Sequence, residues 1–138
     1  MSLEEAVEHH PNKSTYVIRI FSSGGAGQTP LQDSKLYKKI NIYTFDDNDT
    51  YPFRIESGPK WFDEQIAEEI IRGFSEHKEG VEALVVHCVM GSNRSPAIAI
   101  ALNEIFSLGQ DSNLLMQEFE DYNRHVYNTM KKAQLKFP

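Results

Sequence analysis

The sequence predicts a single α/β domain, a central and mostly parallel sheet flanked by helices, with a tight loop running from a central strand into a buried helix. Three observations predict it. Strand-like and helix-like stretches follow in the order strand, strand, helix, strand, helix, helix, which is the α/β pattern. The chain has 138 residues, 40% of them hydrophobic, enough for one core and too few for two. The third strand is a short, continuously apolar run, as expected of a strand buried on both faces.

Taken in order, residues 1–14 are polar and acidic and read as an N-terminal extension, a candidate for disorder, ahead of a domain at 15–138. TYVIRIF (15–21) and KKINIYTF (38–45) are β-branched and aromatic, and both stop at turn-forming clusters, so they read as strands. The glycine-rich SSGGAGQTPLQDS between them lacks the Gly-Lys-Ser/Thr ending of a nucleotide-binding loop. A polar loop with three aspartates follows the second strand. A helix start is expected at Ser57 or Gly58 with Pro59 near its first position, and Phe62, Ile66, Ile70, Ile71 and Phe74 fall on one apolar face. VEALVVHC (81–88) is the apolar third strand, and PAIAIALNEIF (96–106) reads as a helix inside the domain. A last helical region begins near Ser112, with Leu114, Leu115, Phe119, Val126 and Met130 as its buried positions.

Charge and termini narrow the partners. Net charge is −6 and the basic residues are scattered singly or in pairs such as Lys38-Lys39 and Lys131-Lys132, so neither nucleic acid nor a membrane is an expected partner. No window approaches the roughly 20 apolar residues of a membrane span, and the first residues lack the basic-then-apolar order of a signal peptide. A cytoplasmic monomer without metal or cofactor is the expectation.

The chain has one cysteine, Cys88, which excludes an internal disulfide and an all-cysteine zinc site. It stands at the carboxyl end of the third strand, where open α/β sheets bind ligands. Val89, Met90, Gly91, Ser92 and Asn93 can wrap a tight loop whose N–H groups turn inward, with Gly91 supplying the backbone freedom. Such a nest at a helix N-terminus suits phosphate or sulfate, and the Arg94 guanidinium can grip two of its oxygens at once. The same field favours ionisation of Cys88 below the usual value of about 8.5. A thiolate under a phosphate-shaped site is placed to attack phosphorus. His87 fits a supporting role behind the loop. Ser95 fits two roles, a hydrogen bond to the sulfur that helps it leave, or a helix cap.

At HCVMGSNRS, residues 87–95, the chain resembles the protein tyrosine phosphatase superfamily, and in size and layout its small dual-specificity-type members. The resemblance spans about residues 15 to 130, although only this loop is specific. It implies a phosphatase-type phosphate-binding loop, Cys88 as the nucleophile of a phosphocysteine intermediate, Arg94 as phosphate clamp, and the backbone of 89–94 as cradle. Met90 and Asn93 depart from the alanine and serine common in those enzymes. No lysine of the kind lipid phosphatases carry lies between Cys88 and Arg94.

The resemblance also implies an aspartate that protonates the leaving oxygen, on a loop after an earlier strand. Asp46, Asp47 and Asp49 follow INIYTF, some 40 residues before Cys88 on counting. Asp47 is the first choice, one residue past the strand end, with Asp46 next to it as alternative or loop anchor; Glu56 ranks below them. The expected function is hydrolysis of a phosphorylated protein or small phosphomonoester. The alternatives are a catalytically weak module that binds phosphate or phosphoprotein, and a sulfur-transfer or arsenate-reducing enzyme, which the lack of further cysteines counts against.

Overall fold

The computed structural model describes residues 1–23, 28–46 and 60–137. Three strands, β1 (Thr15–Phe21), β2 (Tyr37–Thr44) and β3 (Ala83–His87), form a parallel sheet in the order β2-β1-β3. Five α-helices accompany them among the described residues, α1 (Leu3–Glu8), α2 (Glu64–His77), α3 (Arg94–Phe106), α4 (Ser112–Glu118) and α5 (Arg124–Gln134), with one 3-10 turn at Lys78–Gly80. The α/β domain with a parallel sheet flanked by helices is therefore the observed architecture. No helix among the described residues is long and apolar enough to cross a membrane.

Among the described strands β1 is the middle one, with β3, which ends just before Cys88, at its side, and all seven residues of β1 are buried. Strand β3 is buried only at Val86 and His87, while Ala83, Leu84 and Val85 are half-buried. Tyr16, Ile18 and Ile20 of β1 join one core with Ile66, Ile70, Ile71 and Phe74 of α2, Ala97, Ile98 and Leu102 of α3, and Val126 and Met130 of α5. Each fully buried isoleucine stabilises the fold by about 2 kcal/mol, so the sheet is a firm base for the loops at its end. Helix α2 approaches closely at Gly73, where a Cβ would sit 3.0 Å from the Tyr16 hydroxyl.

Three boundaries differ from the sequence reading. Helix α2 starts at Glu64, capped by the Asp63 carboxylate, which accepts from Ile66 N at 2.9 Å; Ser57, Gly58 and Pro59 lie outside the described residues. The last helical region is two helices, because the Asn123 side chain caps a fresh start by accepting from Val126 N at 3.0 Å. Helix α4 buries none of its residues and its C-cap Phe119 is only half-buried, so Leu114, Leu115 and Phe119 are not the core positions expected, whereas Val126 and Met130 are. Residues 1–14 are also more than an extension. Ser2 and Glu5 form a capping box that starts α1, whose Ala6 is buried, and Leu3 N donates to Val89 O at 3.1 Å.

Because the strands are parallel, their carboxyl ends share one edge. The register sets Phe21 beside Thr44 and Arg19 beside His87. Ser22 and Ser23, Phe45 and Asp46, and Cys88 thus arrive together.

Candidate active site

Strand β3 stops at His87 and α3 begins at Arg94, leaving Cys88–Asn93 to reverse the chain. Gly91 makes the reversal with φ +78°, a left-handed conformation that costs a residue with a Cβ. The turn folds back on the cysteine: Gly91 N donates to Cys88 Sγ at 3.2 Å, and Ser95 Oγ lies 3.2 Å from the same sulfur. Cys88 is almost fully buried, while Met90 at the mouth is 77% exposed, so the sulfur is sheltered beneath an open rim. Among the described residues the N–H groups of Val89, Met90, Ser92 and Asn93 have no protein acceptor. Four such donors at the start of a helix are an arrangement that can bind an anion. Asn93 moors the loop laterally. Its Nδ2 donates to Asp121 O at 2.9 Å and its own carbonyl accepts from Asn123 N at 2.9 Å.

Arg94 is buried and aimed by the other two strands. Its Nη1 donates to Ser22 Oγ at 2.9 Å, just past β1, and to Phe45 O at 2.8 Å, just past β2. Nε and Nη2 have no acceptor among the described residues, which leaves one edge of the fork for an oxyanion. Ser22 went unnoticed in the sequence, where it is one of a pair of serines opening a glycine-rich loop; only its place at the strand edge marks it.

The thiol is acidified. Burial pushes the Cys88 pKa up, but the Ser95 hydroxyl and N–H, the Gly91 N–H and the Arg94 charge together outweigh it, and the net shift is downward. Ser95 is therefore placed at the sulfur. It does not cap α3, whose N-cap residue, Asn93, makes no side-chain cap bond either.

His87 is fully buried behind the loop. Arg19 Nε donates to His87 Nε2 at 2.8 Å, so the ring proton sits on Nδ1, 3.4 Å from the Cys88 carbonyl. Arg19 also donates to Thr29 O and lies over the Phe21 ring. Burial, with smaller help from the Arg19 charge and against the Cys88 carbonyl, pushes the His87 pKa down to about 4. The unfolded chain binds this proton near pH 6.5 and the folded one only near 4, so stability falls as pH drops through that window. Thermal unfolding between pH 7 and 4.5 is expected to show a loss on the order of 2 kcal/mol, largely removed by His87→Gln; an equal loss in that variant would assign it to other groups.

Of the carboxylates, Asp46 is placed and occupied. It is buried, and its oxygens accept from Ser23 N at 2.9 Å, from Ser23 Oγ, and from Lys60 N at 2.7 Å. Its own N–H donates to Lys60 O at 2.7 Å. That is the geometry of a loop anchor, with the carboxylate bound by the Ser23 N–H and hydroxyl and the Lys60 N–H. Asp47, Asp49 and Glu56 lie outside the described residues. Among the described residues no three His, Cys, Asp or Glu side chains are grouped to hold a metal ion.

No protein-family model and no curated protein matches the chain. Solved structures do. A crystal structure of Tk-PTP in the active form matches with a TM-score of 0.53 at 17% identity, over 99% of this chain and 88% of that one. The human tyrosine phosphatase-like serine/threonine/tyrosine-interacting protein matches with a TM-score of 0.50 at 21% identity, over 89% of this chain and 78% of that one. The chain shares their fold along nearly its whole length.

Proposed function

We propose that this protein is a cysteine-dependent phosphomonoester hydrolase of the tyrosine or dual-specificity type, acting on a phosphorylated protein or small phosphomonoester in the cytoplasm. One observation carries the reading: an acidified, sheltered Cys88 thiol lies under a loop of unclaimed N–H donors, beside an arginine whose free edge is fixed by two other strands. The phosphatase-fold neighbours agree with it.

In the first step the Cys88 thiolate attacks phosphorus; an S–P bond forms as the ester P–O bond breaks. The cradle and Arg94 hold the three equatorial oxygens as charge spreads over them. Asp47 gives its proton to the leaving oxygen. In the second step water forms the new P–O bond and returns a proton to the Asp47 carboxylate, while the S–P bond breaks. Ser95 donates to the departing thiolate.

Turnover of a generic aryl phosphate, with acid quenching and detection of phosphate on Cys88 by mass spectrometry, tests the reading. Phosphate binding without turnover or adduct would replace it by a phosphate- or phosphoprotein-binding module. The human neighbour, named for its likeness to a phosphatase and for interaction, gives that reading a structural precedent.

The acid assignment has its own signature. Asp47→Asn is expected to lose about a hundredfold in turnover of poor leaving groups and far less with an activated aryl phosphate that needs no proton. It should also remove the basic limb of the pH profile for the poor substrate. Equal losses on both substrates would give Asp47 a structural role, and the selective loss in Asp46→Asn would move the assignment to its neighbour.

A further inference from the structure

The segment ahead of α1 reaches the hydrogen bonds of the nucleophile. Met1 N donates to Val86 O at 3.1 Å, Cys88 N donates to Met1 O at 3.2 Å, and Leu3 N donates to Val89 O at 3.1 Å. This short parallel ladder lies along the carboxyl end of β3. Gly91 lets it come close: a Cβ at that position would stand 2.6 Å from Ser2 N and 2.8 Å from the Met1 carbonyl carbon. The ladder brings a second acceptor to Ser95, whose Oγ is 3.2 Å from Cys88 Sγ and 3.3 Å from Met1 O. A serine hydroxyl has one proton to give.

We infer that the backbone carbonyl of Met1 is a positioning group for Cys88, competing with the thiolate for the single Ser95 proton and so setting the acidity of the thiol. The inference rests on the reading of Cys88 as nucleophile. While the ladder is docked, Ser95 divides its hydrogen bond and the thiolate is held less firmly than the loop alone would hold it. Once the ladder opens, the sulfur receives the whole bond.

The other charged groups around the sulfur do not produce this effect. Arg94 reaches it from α3 and is fixed by Ser22 and Phe45. His87 of β3 is held neutral under Arg19 of β1. Asp46, past β2, is bound to Ser23 and Lys60. The Met1 N–H moves with the ladder but donates to Val86 O, not to the sulfur or to Ser95. Its contribution does not pass through Ser95, so a Ser95→Ala background separates the two.

Leu3→Pro opens the ladder selectively. Leu3 is the first residue of α1, a position proline favours, and Ser2 before it is already extended at φ −80° and ψ 167°. The proline ring replaces the N–H that binds Val89 O and crowds that oxygen. Leu3→Ala keeps the bond and is the control. The readout is the pH at which alkylation of Cys88 by iodoacetamide reaches half its limiting rate, which reports the thiolate without phosphatase chemistry. A normal shift in a protein that turns over no phosphate ester would therefore refute the functional reading and leave this inference standing.

Leu3→Pro is expected to lower the midpoint, with roughly three- to tenfold more thiolate on its acid side. Leu3→Ala should match the wild type, and in the Ser95→Ala background Leu3→Pro should lower nothing. If Leu3→Pro fails to fold, a chain lacking Met1 and Ser2 removes the competing acceptor outright and is expected to shift the same way. An unchanged or raised midpoint overturns the inference, as does a lowering that persists without the Ser95 hydroxyl.

Discussion

Cys88→Ser is expected to cut aryl phosphate hydrolysis by on the order of a thousandfold or more while leaving inorganic phosphate binding within a few-fold of wild type. The two results together matter more than either. A serine oxygen can keep the contacts of the sulfur to Gly91 N and Ser95 Oγ, and it alters no N–H of the cradle and no bond of Arg94. It cannot ionise at neutral pH, because the net downward shift that these donors and Arg94 give Cys88 starts for serine from a hydroxyl far less acidic than a thiol. Steady-state turnover and calorimetric titration with phosphate measure the two halves. More than a few per cent residual turnover would rule out covalent catalysis by this residue, and lost binding with lost turnover would point to a collapsed loop.

Arg94→Lys is expected to fall nearly as far as Arg94→Ala, both at least about a hundredfold below wild type. The guanidinium works in two directions. One nitrogen is spent on Ser22 and Phe45, which fixes the plane, and the remaining edge is left for a phosphate oxyanion in the proposed reaction. A lysine ammonium can answer the Phe45 carbonyl or the phosphate, but it has no plane with which to serve both. Comparing kcat and KM for the two variants checks this. A lysine variant close to wild type would reduce Arg94 to a source of positive charge at the helix start.

How much of this was legible depends on whether the signal is local. Cys88, Gly91 and Arg94 stand within seven residues, bounded by an apolar strand and an apolar helix, so their proximity is written in the chain itself. Strands β1 and β2 are equally plain, being β-branched runs that end in turns. At the site, what the sequence does not show depends on partners about 70 residues away or more. Ser22 meets Arg94, and Arg19 meets His87, only because the order β2-β1-β3 lays those strand ends side by side. The docking of Met1 on Cys88 has no sequence mark beyond the capping box at Ser2 and Glu5. Asp63 does not stand out as a cap because Ser57, Gly58 and Pro59 offer an equally good start signal six residues earlier. Asn123 shows that a polar residue inside a continuous helical pattern can end one helix and begin the next.

The buried position of Cys88 also bears on oxidative damage. A thiol acidified as Cys88 is reacts readily with peroxide, and its first product is a sulfenic acid. Many redox-sensing sites arrest oxidation there by closing a disulfide to a neighbouring thiol. These 138 residues contain no second cysteine, so no intramolecular disulfide can form. The nearest groups able to intercept the oxidised sulfur are backbone nitrogens, with Gly91 N already 3.2 Å away, or a thiol from solution that must enter past Met90. The burial that shelters Cys88 thus also restricts its rescue, which depends on the size of the thiol that can reach it.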